Sequence, residues 1–252
     1  GKSFSVVDLP GTYSLFPNSQ DEKLVCEILI NPSNENYPDL IVYVADINNL
    51  ERHLLLATQI FDLNIPTILV LNMIDVFTEN ENEVNIEVLK EKLQLPILIS
   101  NARATETTDE LKELINSYSN SSVSTKNKNS FYEFNAVEQL AASQVKSLLG
   151  NENDYQSKLV LHHFNWLSFI DSDKKQNLKS IAEKNNFENI KLQINETMKR
   201  FSLIQRIVLK TTINKSSKAS DSTIKWDNIF THKVFGPIIF FGLMFLIFQS
   251  IF

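Results

Sequence analysis

The sequence is poor in cysteine and glycine, and it carries no excess of positive charge. Cys26 is the only cysteine among 252 residues, which excludes an internal disulfide and a cysteine-rich zinc spacing. Only five glycines are present, so no second glycine-rich phosphate loop is hidden in the chain. A formal net charge of -6 argues against nucleic acid as the main partner. We expect Cys26 to be a reduced helix residue that faces the core.

The most informative motif is Asp8-Leu9-Pro10-Gly11, which follows an apolar run at residues 4–7. We predict that this run is a strand, whose carboxyl end is where an open α/β sheet binds a nucleotide phosphate. An acid there holds Mg2+, usually through water, and a glycine lets a backbone N–H approach the terminal phosphate. We assign these roles to Asp8 and Gly11, with Leu9 and Pro10 in the same loop. Alone, such a string more often forms a plain turn.

A second motif, Asn72-Met73-Ile74-Asp75, follows an apolar run at residues 66–71 that predicts a buried parallel strand. An aspartate here can accept hydrogen bonds from N1–H and the exocyclic amine of guanine, a pair of donors that adenine lacks. Asp75 therefore predicts selection of GTP over ATP. Asn72 would join the neighbouring loops and reach the base, and Met73 would cover the base with an apolar side chain.

A third motif, Ser100-Asn101-Ala102, follows the short apolar run 96–99. A small residue there lets a backbone N–H meet the guanine O6, although the side-chain role of Asn101 is left open. Another apolar run, at residues 40–45, predicts a strand that ends at Asp46. Helical stretches alternate with these strands, one of them begun by a capping box at Ser19-Gln20-Asp21-Glu22. This alternation predicts an α/β fold with a doubly wound, GTPase-type sheet.

Gly1-Lys2-Ser3 looks like the end of a phosphate-binding loop, but a predicted strand follows it directly. Because such a loop must open a helix, we interpret these residues as part of a hairpin turn and the chain as an interior, amino-terminally truncated fragment. We expect the fragment to bind GTP poorly and leave its own enzymatic activity open, with GTP hydrolysis expected of the full-length protein. Thr12 is too short to orient water as a glutamine would, which predicts slow hydrolysis.

The chain divides into five segments by composition. We predict a truncated GTPase domain at 1–119, a linker or exposed loop at 120–130, a helical domain at 131–212, a linker with an interfacial segment at 213–233, and a first transmembrane helix, cut short, at 234–252. The last segment carries no charge, and lysines precede it, as the positive-inside bias requires. The helical domain is large enough to bury a modest core of its own.

Two residue pairs could suggest further sites, but we predict a structural role for each. His162 and His163 are adjacent, so on a helix they point in different directions, and we predict packing or solvent roles rather than a metal site. Glu51 and Arg52 lie on a predicted amphipathic helix from about residue 49 to 63, where an ion-pair or capping role is favoured.

The motifs resemble those of the ferrous iron transport protein B family at residues 6–15, 46–54, 72–75 and 227–238. The resemblance implies a cytoplasmic GTPase domain and a helical coupling domain ahead of a multi-pass inner (plasma) membrane domain that moves Fe2+. It implies the cofactors GTP and Mg2+, residues up to about 233 in the cytoplasm, and no iron ligand in this chain. Its implied partners are guanine nucleotide, Fe2+ as the transported ion, the membrane, small accessory proteins of iron uptake and a possible second copy of the chain, but no nucleic acid.

Two alternative functions remain open from the residues alone. A soluble GTPase of ribosome or tRNA maturation would share the three guanine motifs, but it should carry basic extensions and no membrane helix. A non-catalytic, membrane-anchored nucleotide-binding adaptor would need neither a phosphate loop nor hydrolysis. The uncharged segment 234–252 argues against the first alternative, and the sequence upstream of Gly1 would decide the second.

Overall fold

A computed structural model describes residues 4–79, 82–101, 106–120, 130–214 and 235–251. The predictions for Gly1-Lys2-Ser3, Ala102 and most of the two predicted linkers lie outside the described residues. In chain order the elements are α1 (Gln20–Ile30), β1 (Ile41–Asp46), α2 (Leu50–Asp62), β2 (Thr67–Asn72), α3 (Ile74–Glu79), β3 (Asn82–Val84), α4 (Ile86–Leu93), β4 (Ile97–Ile99), α5 (Glu106–Asn120), α6 (Ala136–Leu149), α7 (Asp154–His163), α8 (Ser172–Lys184), α9 (Asn189–Thr211), β5 (Thr212–Asn214) and α10 (Phe235–Ile251).

Strands β1, β2 and β4 form a parallel sheet in the order β1-β2-β4, which confirms the predicted α/β fold with a parallel sheet. β2 is the central strand and is buried on both faces, as its run of β-branched and aliphatic residues predicts. Helices α2 and α5 cover opposite faces of the sheet, because Leu69 packs with the core beneath α2 and Val70 packs with side chains of α5. Crossover helices of this kind place every strand's carboxyl end at one edge.

The predicted strand at residues 4–7 is wrong. These residues take no regular structure, and Val6 is 88% exposed. A strand forms only where its backbone N–H and C=O groups pair with a neighbour, and this segment does not pair with β1. The Val44 side chain of β1 is also exposed, because the described residues leave that face of the strand uncovered. The local β propensity of the run is therefore not sufficient to form a strand.

Helices α6 to α9 form a helical unit whose ends are set by short polar residues. Asn135 and Glu138 form a capping box at the start of α6, and Gly150 ends that helix in the left-handed region at φ 73°. Asn153 caps α7 and Asp171 caps α8 through their side-chain oxygens. The helical pattern predicted for residues 131–212 is thus present as four helices.

The helical unit shares one hydrophobic core with the α1 and α2 side of the sheet unit. Cys26 and Ile60 from the sheet unit pack in the same buried cluster as Ala141 and Leu159 from the helical unit. The predicted inward position of Cys26 is confirmed, since its side chain is fully buried. The capping box of Ser19 and Glu22 also begins α1 as predicted.

A two-stranded antiparallel pair returns the chain to the sheet unit after the last helix of the helical unit. β3 pairs with β5, with Val84 opposite Thr212. The sequence predicts a linker from residue 213 and does not reveal this pair, because three-residue strands leave no periodic signal. Farther along, α10 spans 17 residues, and no helix in the described ranges is long and apolar enough to cross a membrane.

Candidate functional site

The second and third motifs meet at the carboxyl edge of the parallel sheet. The backbone N–H of Ser100 donates to the carbonyl oxygen of Leu71 over 2.7 Å, so the residue after β4 is joined to the end of β2. Asn72 ends β2, and Asp75 lies in the first turn of α3. Asn72 and Ser100 therefore lie at the same edge of the sheet, and Asp75 follows Asn72 by three positions at the start of α3.

Asp75 presents a carboxylate oxygen that the protein does not use. Its Oδ1 is buried and has no hydrogen-bond partner among the described residues. Buried polar atoms are nearly always paired, because a lost hydrogen bond in a dry environment costs about 1 to 3 kcal/mol. An acceptor left open beside the sheet edge fits a ligand with N–H donors, which is the chemistry of the guanine edge.

Met73 holds a backbone conformation that few side chains adopt. Its φ of 66° lies in the left-handed region, and its side chain is 42% exposed. The side-chain amide of Asn48 donates to the Met73 carbonyl oxygen at 3.5 Å. A non-glycine residue at positive φ stores strain that the surroundings must hold, and such residues concentrate at ligand sites. An exposed thioether is able to offer apolar surface to a flat ligand.

The loop after the first motif borders the same edge of the sheet. A cleft of about 390 Å³ is lined by residues that include Tyr13, Asp46, Arg52, Asn72 and Met73. Asp8 and Gly11 precede this lining and are exposed, whereas Leu9 and Pro10 are half-buried. A side-chain carbon added at Gly11 would meet no atom within 4 Å, so its backbone is open to close approach.

Asp46 is organised by its own neighbours and not by a ligand. Its Oδ1 accepts from the backbone and side-chain N–H groups of Asn48, each at 2.9 Å, and its Oδ2 accepts from Asn49 at 2.8 Å. Desolvation alone would raise the pKa of Asp46, but these hydrogen bonds bring it below its usual value. Asp46 therefore stays ionised and caps the short 3-10 turn that begins α2.

Arg52 and His53 connect α2 to the loop after Gly11. The Arg52 guanidinium carbon lies 3.7 Å from the centre of the Tyr13 ring, a cation–π contact. The His53 ring lies 5.4 Å from the same ring, and its Nδ1 is 3.1 Å from the Tyr43 hydroxyl. The sequence favours an ion-pair or capping role for Arg52. It does not reveal the contact with Tyr13, since two residues separated by 39 positions leave no local pattern.

Leu15 anchors the loop to the rest of the molecule at three points. Its backbone N–H donates to Oε1 of Gln59 over 2.8 Å, and its carbonyl oxygen accepts from Nε2 of His163 over 2.8 Å. Its side chain is fully buried in the core shared by the two units. Thr12, four residues after Asp8, uses its hydroxyl in a local bond to the Ser14 carbonyl oxygen at 2.9 Å.

His162 and His163 have the packing role that their sequence predicts. Both rings are buried and contact Phe16, with centroids 5.5 Å and 6.2 Å away. Desolvation lowers the pKa of His162 to about 3 and that of His163 to about 4, so both rings are neutral near pH 7. Within the part of the chain that the structure describes, no three His, Cys, Asp or Glu side chains are grouped to hold a metal ion.

A buried network of charges joins α2 to the helical unit. Arg200 donates to Asp62 over 2.6 Å and to Glu196 over 2.7 Å, which links α9 to the end of α2. Lys158 bridges Glu138 at 2.7 Å and also pairs with Glu196. Desolvation alone would raise the pKa of Glu196, but Arg200 and Lys158 bring it to about 2. The network holds the two units in one arrangement.

Comparison with known proteins gives consistent matches over the sheet unit. The family model described as Ferrous iron transport protein B matches residues 1–115. A curated relative from Leptospira biflexa, the Fe(2+) transporter FeoB, is 29% identical over 98% of this chain. The chain spans 36% of the length of that relative.

Solved structures share the fold of both units. The cytosolic domain of the T. maritima FeoB iron transporter in its GMPPNP form aligns with a TM-score of 0.62 and 22% identity, covering 82% of this chain and 80% of that one. The cytosolic domain of L. pneumophila FeoB aligns with a TM-score of 0.63 and 23% identity, covering 82% and 79% of the two chains. These likenesses show that the sheet unit and the helical unit share the fold of those two domains.

Proposed function

We propose that this chain, whose residues 1–115 match the model of the ferrous iron transport protein B family, is the guanine-nucleotide-binding part of a membrane ferrous iron transporter. In this proposal the sheet unit binds GTP, the helical unit couples its nucleotide state to the membrane part, and Fe2+ is the transported ion. The sequence-based resemblance to this family is thereby confirmed.

The observation that carries the proposal is the open carboxylate of Asp75. The buried Oδ1 can accept a hydrogen bond from the guanine edge, and Asp75 begins the helix that follows Asn72, at the edge where Ser100 also lies. Asn101 follows Ser100 at that edge, where a backbone N–H would donate a hydrogen bond to the guanine O6. Adenine offers no pair of donors to this carboxylate, so the site favours guanine.

The phosphates and Mg2+ would be bound by the loop that contains Asp8 and Gly11. Mg2+ would supply charge neutralisation for the phosphates, and Asp8 would hold it through water. The open space at Gly11 permits a backbone N–H to meet a phosphate oxygen. The chain's own groups orient this loop, because Tyr13 is held by Arg52 and Leu15 by Gln59 and His163.

Coupling to the helical unit follows from the anchoring of Leu15. A nucleotide biases a conformation only through its different affinity for two states, so the coupling needs contacts that change when the loop moves. The Leu15 carbonyl bonds to α7, and Phe16 packs against both histidines of that helix. Motion of the loop after Gly11 is therefore transmitted to the helical unit without an intermediate element.

Anchoring to the cytoplasmic face of the plasma membrane is part of the proposal and rests on α10. Every side chain described between Pro237 and Ser250 in this helix is apolar except Gln249, and most are exposed, so the helix requires an apolar environment. Homo-oligomerisation and small accessory proteins of iron uptake remain further parts of the proposal.

The test is guanine selectivity in the protein as its gene encodes it. We expect GTP to displace a fluorescent GDP analogue at much lower concentration than ATP. Asp75→Asn should weaken GTP binding by about 100-fold, since a charged bidentate contact is worth roughly 3 kcal/mol, and should admit xanthine nucleotide. Glu79→Gln, an exposed acid on the same helix, is the matched control.

Equal affinity of the wild type for ATP and GTP would contradict the nucleotide assignment. Guanine selectivity that Asp75→Asn leaves unchanged would show that the guanine base binds elsewhere in the protein. A soluble maturation GTPase would show the same selectivity but would not remain with membranes after cell fractionation, and an adaptor would bind GTP without hydrolysing it.

A further inference from the structure

Helix α9 buries a face of mixed polarity, on which aliphatic side chains lie beside charged ones, and it also exposes a line of apolar side chains. Its buried face contributes Glu196 and Arg200 to the charge network. Its outer face carries exposed apolar side chains at helical spacing, which we call the α9 stripe: Ile190 (74% exposed), Ile194 (53%), Met198 (66%), Phe201 (38%) and Leu209 (73%). These residues recur at intervals of three, four and eight positions, so they form one line along the helix.

The α9 stripe is flanked by positive charge. The exposed charged residues of α9 are Lys191, Lys199, Arg206 and Lys210. The only acidic residue within the helix is Glu196, which is fully buried and paired with Arg200 and Lys158. Just before the helix, Glu188 pairs with Lys191 at 3.1 Å. This strongly cationic surface lies on a chain whose net charge is -6.

We infer that the α9 stripe lies on an anionic lipid surface. An amphipathic helix with aliphatic and aromatic residues on one face and lysine or arginine beside them is suited to the boundary between headgroups and acyl chains. Each Lys or Arg near such a surface is attracted by its negative potential. The long stems of Lys199 and Arg206 can extend toward headgroups while the stripe enters the boundary.

A second copy of the chain fits this surface less well than lipid does. Two α9 stripes packed against each other would bring the cations that flank each stripe into one interface. Like charges brought together at an interface cost several kcal/mol unless acids from the partner separate them, and α9 has no exposed acid. The charge pattern therefore selects an anionic partner.

Helix α10 is a second exposed apolar element in the same chain. This apolar helix begins at Phe235, after α9 ends at Thr211. A single amphipathic helix binds a membrane weakly and reversibly, whereas two membrane-seeking elements in one chain bind stably. The inference rests in part on the membrane anchoring proposed above, so the experiment reports the two elements separately.

The experiment measures how deeply nitroxide labels enter vesicles that contain phosphatidylglycerol. Single labels are placed in the full chain at Met198→Cys on the α9 stripe, Phe245→Cys on α10 and Asn177→Cys on the exposed surface of α8. The native Cys26 is fully buried, so we expect the label not to reach it. Power-saturation EPR then compares collisions of each label with lipid-soluble oxygen and with a water-soluble nickel chelate.

We expect the label at residue 198 to collide several-fold more often with oxygen than the label at 177, and to lose this excess in purely zwitterionic vesicles or high salt. Immersion at 245 without immersion at 198 would overturn the inference and leave the anchoring intact. Immersion at neither position would overturn both. Spin–spin broadening of the label at 198 without oxygen contact would show that a second copy of the chain, and not lipid, covers the stripe.

A second test places a negative charge in the stripe and reads the effect at a neighbouring stripe position. Ile194 is exposed, so Ile194→Glu should leave the circular dichroism spectrum of the folded chain unchanged. The substitution places a negative charge in the stripe. We expect this variant to reduce oxygen contact of a label at residue 190 several-fold, whereas the control Asn177→Glu leaves that contact unchanged. Equal contact in both variants would contradict lipid binding by the stripe.

Discussion

Nε2 of His163 lies 2.8 Å from the carbonyl oxygen of Leu15, and both groups are buried. A carbonyl oxygen only accepts hydrogen bonds, so Nε2 carries the proton and the neutral ring needs no charge partner. This bond ties the loop after Gly11 to α7, on the far side of the shared core. Several consequences of that connection can be measured.

The stability of the chain should fall between neutral and mildly acidic pH, and His163 should account for part of the fall. Its pKa is about 4 in the folded protein and 6.5 in its ordinary state, so the unfolded chain binds more protons between these values. This share of stability is complete above about pH 6.5 and is lost as pH falls toward 4. At pH 5 the loss from His163 is about 2 kcal/mol.

His163→Gln should reduce this pH dependence, because a glutamine amide can still donate to Leu15 but does not titrate. Urea unfolding at pH 7 and pH 5 would show a smaller difference for the variant than for the wild type. His53→Gln, at a half-buried ring outside the shared core, should keep most of the dependence. Identical pH dependence in wild type and His163→Gln would contradict the assignment.

Leu15→Ala should destabilise the chain by about 3 kcal/mol, because it removes a fully buried side chain and leaves a cavity in the shared core. Chemical denaturation provides the measurement. Leu24→Ala is the matched control, since Leu24 is 51% exposed and its loss should cost about 0.5 kcal/mol or less. A small effect at Leu15 would mean that the loop is not held by the core.

Arg200→Leu should cost about 3 to 5 kcal/mol, because it leaves the carboxylates of Asp62 and Glu196 with one fewer cation in a buried site. Lys199→Leu changes the adjacent, exposed cation and should cost far less. Thermal and urea unfolding of the two variants would be compared. Equal losses would show that the buried network does not join the units energetically.

Met73→Gly should raise the free energy of unfolding by about 1 kcal/mol, because glycine adopts a φ of 66° without strain. Gln94→Gly relieves a similar conformation at φ 52°, at the end of α4, and should stabilise by a similar amount. The variants should differ in nucleotide affinity, which falls only when the apolar cover at residue 73 is removed. Lower affinity in both, or in neither, would contradict that role for Met73.

The sequence predicts the sheet well where burial alone decides the structure. The strands at 41–46, 67–72 and 97–99 are short apolar runs followed by polar motifs, and their periodicity and position are sufficient evidence. The run at 4–7 has the same composition, yet it forms no strand because strand formation depends on a neighbour that local sequence does not reveal.

The residue types of the candidate site could be predicted from the sequence, but the contacts that hold its loop in place could not. Asp75 is recognisable because its chemistry and spacing are local. The contacts of Leu15 with Gln59 and His163 join residues 44 and 148 positions apart, and no periodic pattern records them. The charge network is equally hidden, because Lys158, Glu196 and Arg200 each resemble ordinary surface residues of amphipathic helices.

The antiparallel pair of β3 and β5 allows force applied to the chain after β5 to pass to the sheet unit. The backbone N–H of Asn85 donates to the carbonyl oxygen of Thr211 over 2.7 Å, and Asn214 lies opposite Asn82. A pull on the chain beyond Asn214 therefore loads β3 before it loads the helical unit. β3 follows α3, the helix that carries Asp75, so tension on that side of the protein reaches Asp75 across fewer than ten residues.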